Sequence, residues 1–202
     1  QAILAQSPAV AAVSVFKFAY NDFKLSRREK TTKTTFIYGT NDQLLRTHGY
    51  DMARGRFFTQ EEVRGNANVV VLGKDTRETL FGDASGLGQT VHINGVPFTV
   101  IGEFEPKGRF LGNNFDEVAC IPYTLIDKYW ATPDDAPPWF PKKGELFLDA
   151  VAVAPEQSEE AIRQISEVLR VRRHLPSNKL NNFVVFSDDA FIALYNTITG
   201  GI

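Results

Sequence analysis

Apolar and polar positions change rhythm repeatedly along this chain, and each change marks an element. After a helix end at Gln1–Val10, the stretch Ala11–Tyr20 alternates through Val13 and Val15, which predicts a half-buried strand. The charged run Lys24–Lys33 predicts a solvated loop or hairpin tip, and Thr34–Thr40 a returning strand. Asn41–His48 predicts a short helix ended by Gly49. Val69-Val70-Val71-Leu72 is an unbroken β-branched run closed by Gly73, the pattern of a strand covered on both faces. Asp75 with Glu78 three residues on has capping-box spacing, so a helix is expected from there to Gly82.

Asn94-Gly95 is a strong hairpin signal, because a type I′ turn needs positive φ at both central positions. A two-residue turn there sets Ile93 opposite Val96, Val91 opposite Phe98 and Gln89 opposite Val100. One face of that ribbon is then apolar, while Thr90, His92 and Thr99 lie on the other. Pro97 falls opposite His92 in a non-hydrogen-bonded pair, where its missing N–H costs the ladder nothing.

Beyond Tyr129 the pattern breaks. Trp130–Gly144 carries Pro133, Pro137, Pro138 and Pro141 and continues neither helix nor strand. Leu146–Ala154 predicts a strand. Pro155 suits a first helical position, and a helix to about His174 places Ala161, Ile162, Ile165, Val168 and Leu169 on one stripe. Its start is acidic (Glu156, Glu159, Glu160) and its end basic (Arg170, Arg172, Arg173, His174), which complements the helix dipole. A last strand at Asn182–Phe186 and a final helix capped by Asp188 or Asp189 complete the reading. Boundaries near Gly49 and Pro141 separate outer β–α segments from a β-rich middle.

Composition narrows the class without naming it. With 202 residues, 43% hydrophobic and 23% charged, the chain can build one domain or two small intertwined ones. A net charge of −2 provides no global basic field for nucleic acid. No apolar run approaches the roughly 18–20 residues that span a bilayer. The chain starts at Gln1 without an initiator Met, so it is expected to be an excised segment. Cys120, alone in "DEVACIPY", has no intrachain disulfide partner and is expected as a small buried hydrophobe.

The segments "VVVLGKDTRETLFG" and "GLGQTVHINGVPFTVIGEFEPKG" closely resemble the MacB-type periplasmic core domain of bacterial ABC-transporter permeases. "YDMARGRFFTQEEV" upstream and "AIRQISEVLRVRRH" downstream fit the same family in order and spacing. The resemblance implies an α+β fold. A porter-like α+β subdomain would form from residues 1–49 and 141–202, with a β-rich subdomain, 50–140, inserted. It implies a non-catalytic extracytoplasmic domain, without cofactor, of an inner-membrane permease that couples cytoplasmic ATP hydrolysis to export or other work outside the membrane. Implied partners are the permease transmembrane helices, a cytoplasmic ATPase, a second permease copy, and a periplasmic adaptor or carrier protein. The terminal helices Gln1–Ala9 and Asp189–Ile202 would then be stalks entering the bilayer side by side.

The residues themselves offer little chemistry. His48, His92 and His174 fall in different predicted elements, at no metal-ligand spacing. Gly82–Thr90, GDASGLGQT, lacks the Gly-Lys-Ser/Thr ending of a phosphate loop and precedes a strand. The pairs Asp134-Asp135 and Asp188-Asp189 read as turn or capping residues. No G-x-S-x-G elbow occurs. The basic helix end at Arg170–Arg173 reads either as dipole complement or as a patch for a partner or lipid headgroup.

Two loops are stronger candidates for partner contact: Gly108–Phe115, with Phe110, Leu111 and Phe115, and Trp130–Phe140, with Trp130, Trp139 and Phe140. The alternative for both is that these aromatics fold back over the core. A free-standing secreted ligand-binding module, which would need a deep concave pocket, is the competing reading of the whole chain.

Overall fold

The computed structural model describes residues 2–19, 22–110, 113–137, 140–185 and 187. In chain order the elements begin with α1 (Ala2–Gln6), β1 (Val10–Phe18), the hairpin β2 (Leu25–Arg27) and β3 (Lys30–Thr31), β4 (Phe36–Thr40) and α2 (Leu44–His48). Next come β5 (Met52–Gly55), α3 (Gln60–Arg64), β6 (Val69–Leu72), α4 (Lys74–Phe81), β7 (Thr90–Ile93) and β8 (Val96–Phe104). The hairpin β9 (Arg109–Phe110) and β10 (Asn113–Asn114) leads to β11 (Val118–Pro122), α5 (Thr124–Tyr129), β12 (Phe147–Ala152) and α6 (Ser158–Arg172). The fold is α+β. It divides into two compact units, Gln1–Val13 with Ala150–Ile202, and Ser14–Asp149.

The larger unit is organised on one mixed sheet of order β12-β1-β4-β11-β6-β8-β7-β2-β3, with β5 pairing off β8. Strand alternation sends Ile37, Val70, Leu72, Ala119 and Ile121 to one side. There they pack with the hairpin residues Val91, Ile93, Phe98 and Val100, beneath Leu80 and Phe81 of α4 and Leu125 and Ile126 of α5. Val71, Val118, Cys120 and Phe104 point to the other side and meet Leu44, Tyr50, Phe58 and Val63. The central strands are therefore apolar on both faces, as the unbroken run of β6 requires. Cys120 is fully buried, and burial pushes its thiol pKa well up.

The β7–β8 hairpin has the expected register: Ile93↔Val96, His92↔Pro97 and Val91↔Phe98, closed by Asn94 (φ 44) and Gly95 (φ 85). A second turn device was not read from the sequence. Thr59 caps α3 by accepting from Glu62 N, while the Glu62 carboxylate accepts from Thr59 N. That carboxylate also takes a two-pronged bond from Arg56, at 2.7 and 2.8 Å, which holds it down to about 2.

The capping box expected at Asp75 and Glu78 is not formed. Helix α4 starts two residues earlier, with Gly73 in place of Asp75 as its cap and no side-chain capping bond. A competing acceptor serves this helix end: the Asp116 carbonyl takes the N–H groups of Asp75 (3.0 Å) and Thr76 (3.4 Å), two of the donors that a capping side chain would otherwise bind. The middle region, expected to be rich in strands and glycine turns, also holds α5, a helix not read from the sequence; Trp130 N closes it on Ile126 O.

In the smaller unit, Ile3, Ala9, Val10 and Val13 pack against Ala161, Ile165 and Val168 of α6. Gln164 Oε1 accepts from Ala9 N at 3.0 Å. The strand expected at Asn182–Phe186 is absent over Asn182–Val185, and Phe186 lies outside the described residues. Arginines bond the turn before it and its first carbonyl instead. Arg170 donates to the carbonyls of Pro176 and Lys179 and to Asn181 Oδ1, and Arg173 to the carbonyl of Asn182. The expected final helix lies outside the described residues.

A candidate interaction surface

The Asp116 carboxylate fixes the loop that carries the first group of candidate aromatics. It accepts from Lys107 N at 2.6 Å and from Gly108 N at 3.0 Å, closing the base of the β9–β10 hairpin. Asn114 ties the same hairpin to α4, donating to Asp75 Oδ2 at 2.8 Å and accepting from Asp116 N at 3.1 Å. Phe115 N donates to Gly108 O. A short hairpin with few ladder bonds is thus clamped at its root by a buried carboxylate and one amide side chain. Lys107 adds a second tether: its ammonium lies 4.1 Å from the Tyr50 ring centre and donates to the carbonyl of His48 at the end of α2.

Phe115 is half-buried and forms part of an open groove of about 750 Å³. The floor is Thr35, Phe36 and Ile37 of β4 and the residues before it. One wall is Phe18, Ala19, Asp22 and Phe23, and the other is Asn114, Phe115 and Glu117. Among the described residues β1 ends at Phe18, paired with Tyr38, while β4 continues to Phe36, which pairs with Val118 of β11.

An aromatic band borders this groove on the same sheet face. Phe18 lies 5.3 Å from Phe36 and 5.7 Å from Phe147, ring centre to ring centre, and Phe36 lies 4.6 Å from Tyr38. Phe36 and Phe147 are each 44% exposed, well beyond what packing of the sheet needs. Two carboxylates, Asp22 and Glu117, belong to the groove, and no Lys or Arg lines it. Burial, helped by Cys120 and Asp149, lifts the Tyr38 hydroxyl to about 12, so it remains a neutral hydrogen-bonding group.

The candidate aromatics fare differently. Phe110 ends β9, paired with Asn113 on the hairpin that also leads to Phe115. Leu111 and Trp139 lie outside the described residues. Phe140 is half-buried, its N–H donating to Pro137 O at 2.8 Å, and it does not line the groove. Trp130 belongs to the core: it is 9% exposed, edge-on to Phe23 at 4.9 Å and stacked on Phe98 at 6.1 Å. Phe18, Phe36 and Tyr38 were not singled out from the sequence. The available signal was the repeated aromatic-x-aromatic spacing of Phe16-Phe18 and Phe36-Tyr38, which puts both members of each pair on one strand face.

Among the described residues, no three His, Cys, Asp or Glu converge as a metal site, and no helix is long and apolar enough to cross a membrane. His92 lies exposed on the outer face of its hairpin. His48 Nε2 approaches Asp149 at 3.6 Å, and its Nδ1 lies 2.9 Å from the neighbouring Thr47 hydroxyl.

Such a molecule is an α+β fold whose described residues carry an open, aromatic-bordered groove and no converging metal-ligating side chains. The chain belongs to the MacB-like periplasmic core domain family, whose sequence model matches residues 1–168. It is 29% identical over 176 residues to a macrolide export ATP-binding/permease protein MacB of Rhodopirellula baltica, covering 77% of this chain and 26% of that protein. The MacB of Wolinella succinogenes is 32% identical over 158 residues, covering 71% and 23%. The chain therefore spans about a quarter of the length of these relatives. Its fold is similar to the periplasmic region of MacB from Actinobacillus actinomycetemcomitans, with a TM-score of 0.69 at 19% identity over 98% of this chain and 80% of that one. The extracellular domain of the noncanonic ABC-type transporter YknZ from Gram-positive bacteria gives a TM-score of 0.63 at 16% identity, covering 86% and 82%.

Proposed function

We propose that this chain is the extracytoplasmic domain of an ABC-transporter permease of the inner membrane. It is non-catalytic, and it passes the conformational cycle of a cytoplasmic ATPase to partners outside the membrane. The observation that carries this reading is the family match over residues 1–168, joined to a fold likeness that spans nearly the whole chain. In this reading residues 1–49 and 141–202 form a porter-like part continuous with transmembrane helices, and residues 50–140 form the inserted β-rich part. A second permease copy and an adaptor or carrier protein are the partners. The groove beside Phe115 supports a contact role for that residue, because its hairpin is fixed at the base while its aromatic ring borders solvent. Phe110, Leu111, Trp139 and Phe140 belong to the same proposal as contacts from neighbouring loops.

The test uses the full-length permease with its ATPase in vesicles or cells. A photo-crosslinking residue at Phe115 is expected to capture an extracytoplasmic protein, with a yield that changes when ATP hydrolysis is trapped. Phe115→Ser should abolish transport-linked activity while the melting temperature stays within about 1 °C. A coding sequence that lacks about 20 apolar residues on either side of this segment would defeat the reading.

A further inference from the structure

The smaller unit ends in a charge pattern that the transporter reading does not use. Val168–Ser187 contains Arg170, Arg172, Arg173 and Lys179 and neither Asp nor Glu. The same stretch holds the three most exposed large apolar residues among the described ones: Leu180 at 92%, Val184 at 82% and Val171 at 73%.

The arginines are not equivalent. Arg170 is spent on holding the turn after α6, with donors to Pro176 O at 2.7 Å, Lys179 O at 2.9 Å and Asn181 Oδ1 at 2.6 Å. Arg173 binds Asn182 O at 3.1 Å and Asn182 Oδ1 at 3.0 Å, and lies over the Phe183 ring at 5.4 Å. These bonds fix the segment that presents Leu180. Arg172 and Lys179, by contrast, are exposed, and their side chains enter no hydrogen bond or ion pair among the described residues. His174 follows at positive φ, turning the chain sharply at the helix end.

We infer that this tip docks on an anionic lipid surface. The chemistry fits in both its parts. Exposed aliphatic side chains gain by entering the acyl boundary, and cations that pair with no described residue gain from anionic headgroups above it. Arg170 and Arg173 build the scaffold, Arg172 and Lys179 supply the attraction, and Leu180 with Val184 supplies insertion. An acidic protein would satisfy the cations but would leave a 92%-exposed leucine at the tip without a place. The inference stands on this unit alone and does not rest on the permease reading.

The test is co-flotation of the 202-residue chain with vesicles of phosphatidylglycerol and phosphatidylcholine at equal parts, against vesicles of phosphatidylcholine alone. Binding is expected to the anionic vesicles only, and to vanish at 1 M salt, where the screening length is about 3 Å. Each free cation is worth about a fivefold partition factor near such a surface, so Arg172→Gln with Lys179→Gln should lower partition roughly 25-fold. Leu180→Ser should lower it separately without altering salt dependence. Both variants change exposed side chains, and an unchanged melting temperature certifies their fold. Equal flotation with neutral vesicles overturns the inference, as does no flotation with either. So does anionic binding that Leu180→Ser leaves untouched and soluble polyglutamate displaces, which would assign the tip to an acidic protein.

Discussion

Lys17 sits 1% exposed on β1, with its ammonium 2.5 Å from Asp127 Oδ1 of α5. That contact is ionic, without hydrogen-bond alignment, and neither atom has a hydrogen-bond partner among the described residues. Removing one member of such a pair strands a buried charge, so Asp127→Asn should destabilise the chain by about 3–5 kcal/mol. Lys17→Met added to that variant should recover most of the loss, because the charge then leaves with its partner. Chemical denaturation of the three proteins measures both effects. Glu62 supports a prediction of pH dependence. Its carboxyl is held at about 2, mainly by Arg56, against an ordinary value of 4.5. The ionised form is the bonded one, so its stabilisation is full above pH 4.5 and lost as pH falls toward 2. Across that window the melting temperature of Glu62→Gln should fall less steeply than that of the parent. A parallel fall would remove Glu62 from acid unfolding.

At the scale of elements, the junction of α4 with the β9–β10 hairpin is the tightest device in the larger unit. A Cβ placed on Gly73 would stand 2.4 Å from the Asp116 carbonyl, which is backbone and cannot step aside. Gly73→Ala should therefore cost about 1–3 kcal/mol, measured as a fall in melting temperature. Asp116→Ala tests the other side of the junction. It leaves the Lys107 and Gly108 N–H groups without their acceptor, which should speed amide exchange at those two residues before exchange rises elsewhere. What the sequence reveals here follows from range. The β7–β8 hairpin was legible because Asn94-Gly95 and the alternation on either side are local, and its register is set within a dozen residues. The cap of α4 was not, since its decisive acceptor lies about forty residues away at Asp116. Arg170–Arg173 likewise read either as a dipole complement or as a patch for a partner or lipid headgroup, while the arginine bonds to Pro176, Lys179 and Asn182 depend on how the turn after α6 folds back. The groove followed the same rule: Phe115 was visible as a loop aromatic, whereas its partners Phe18 and Phe36 meet only through the pairing of β1 with β4.

On the scale of the whole molecule, a net charge of −2 conceals a separation. Val168–Ser187 holds four of the 22 Lys and Arg and none of the 24 Asp and Glu, so the rest of the chain stands at −6. A charge distribution of this kind acts on surfaces through its local field and not through its sum. At pH 7 and low ionic strength the chain should therefore be retained on a cation exchanger despite its negative total. Retention should fall away as the screening length drops from about 10 Å at 0.1 M salt toward 3 Å at 1 M. Arg172→Gln with Lys179→Gln should bring elution close to the void volume. Substituting two lysines of the larger unit, Lys24→Gln with Lys33→Gln, changes the total by the same amount and should leave most of the retention. If both pairs shift elution equally, net charge governs the surface behaviour, and the cationic tip of the smaller unit is not a distinct electrostatic feature.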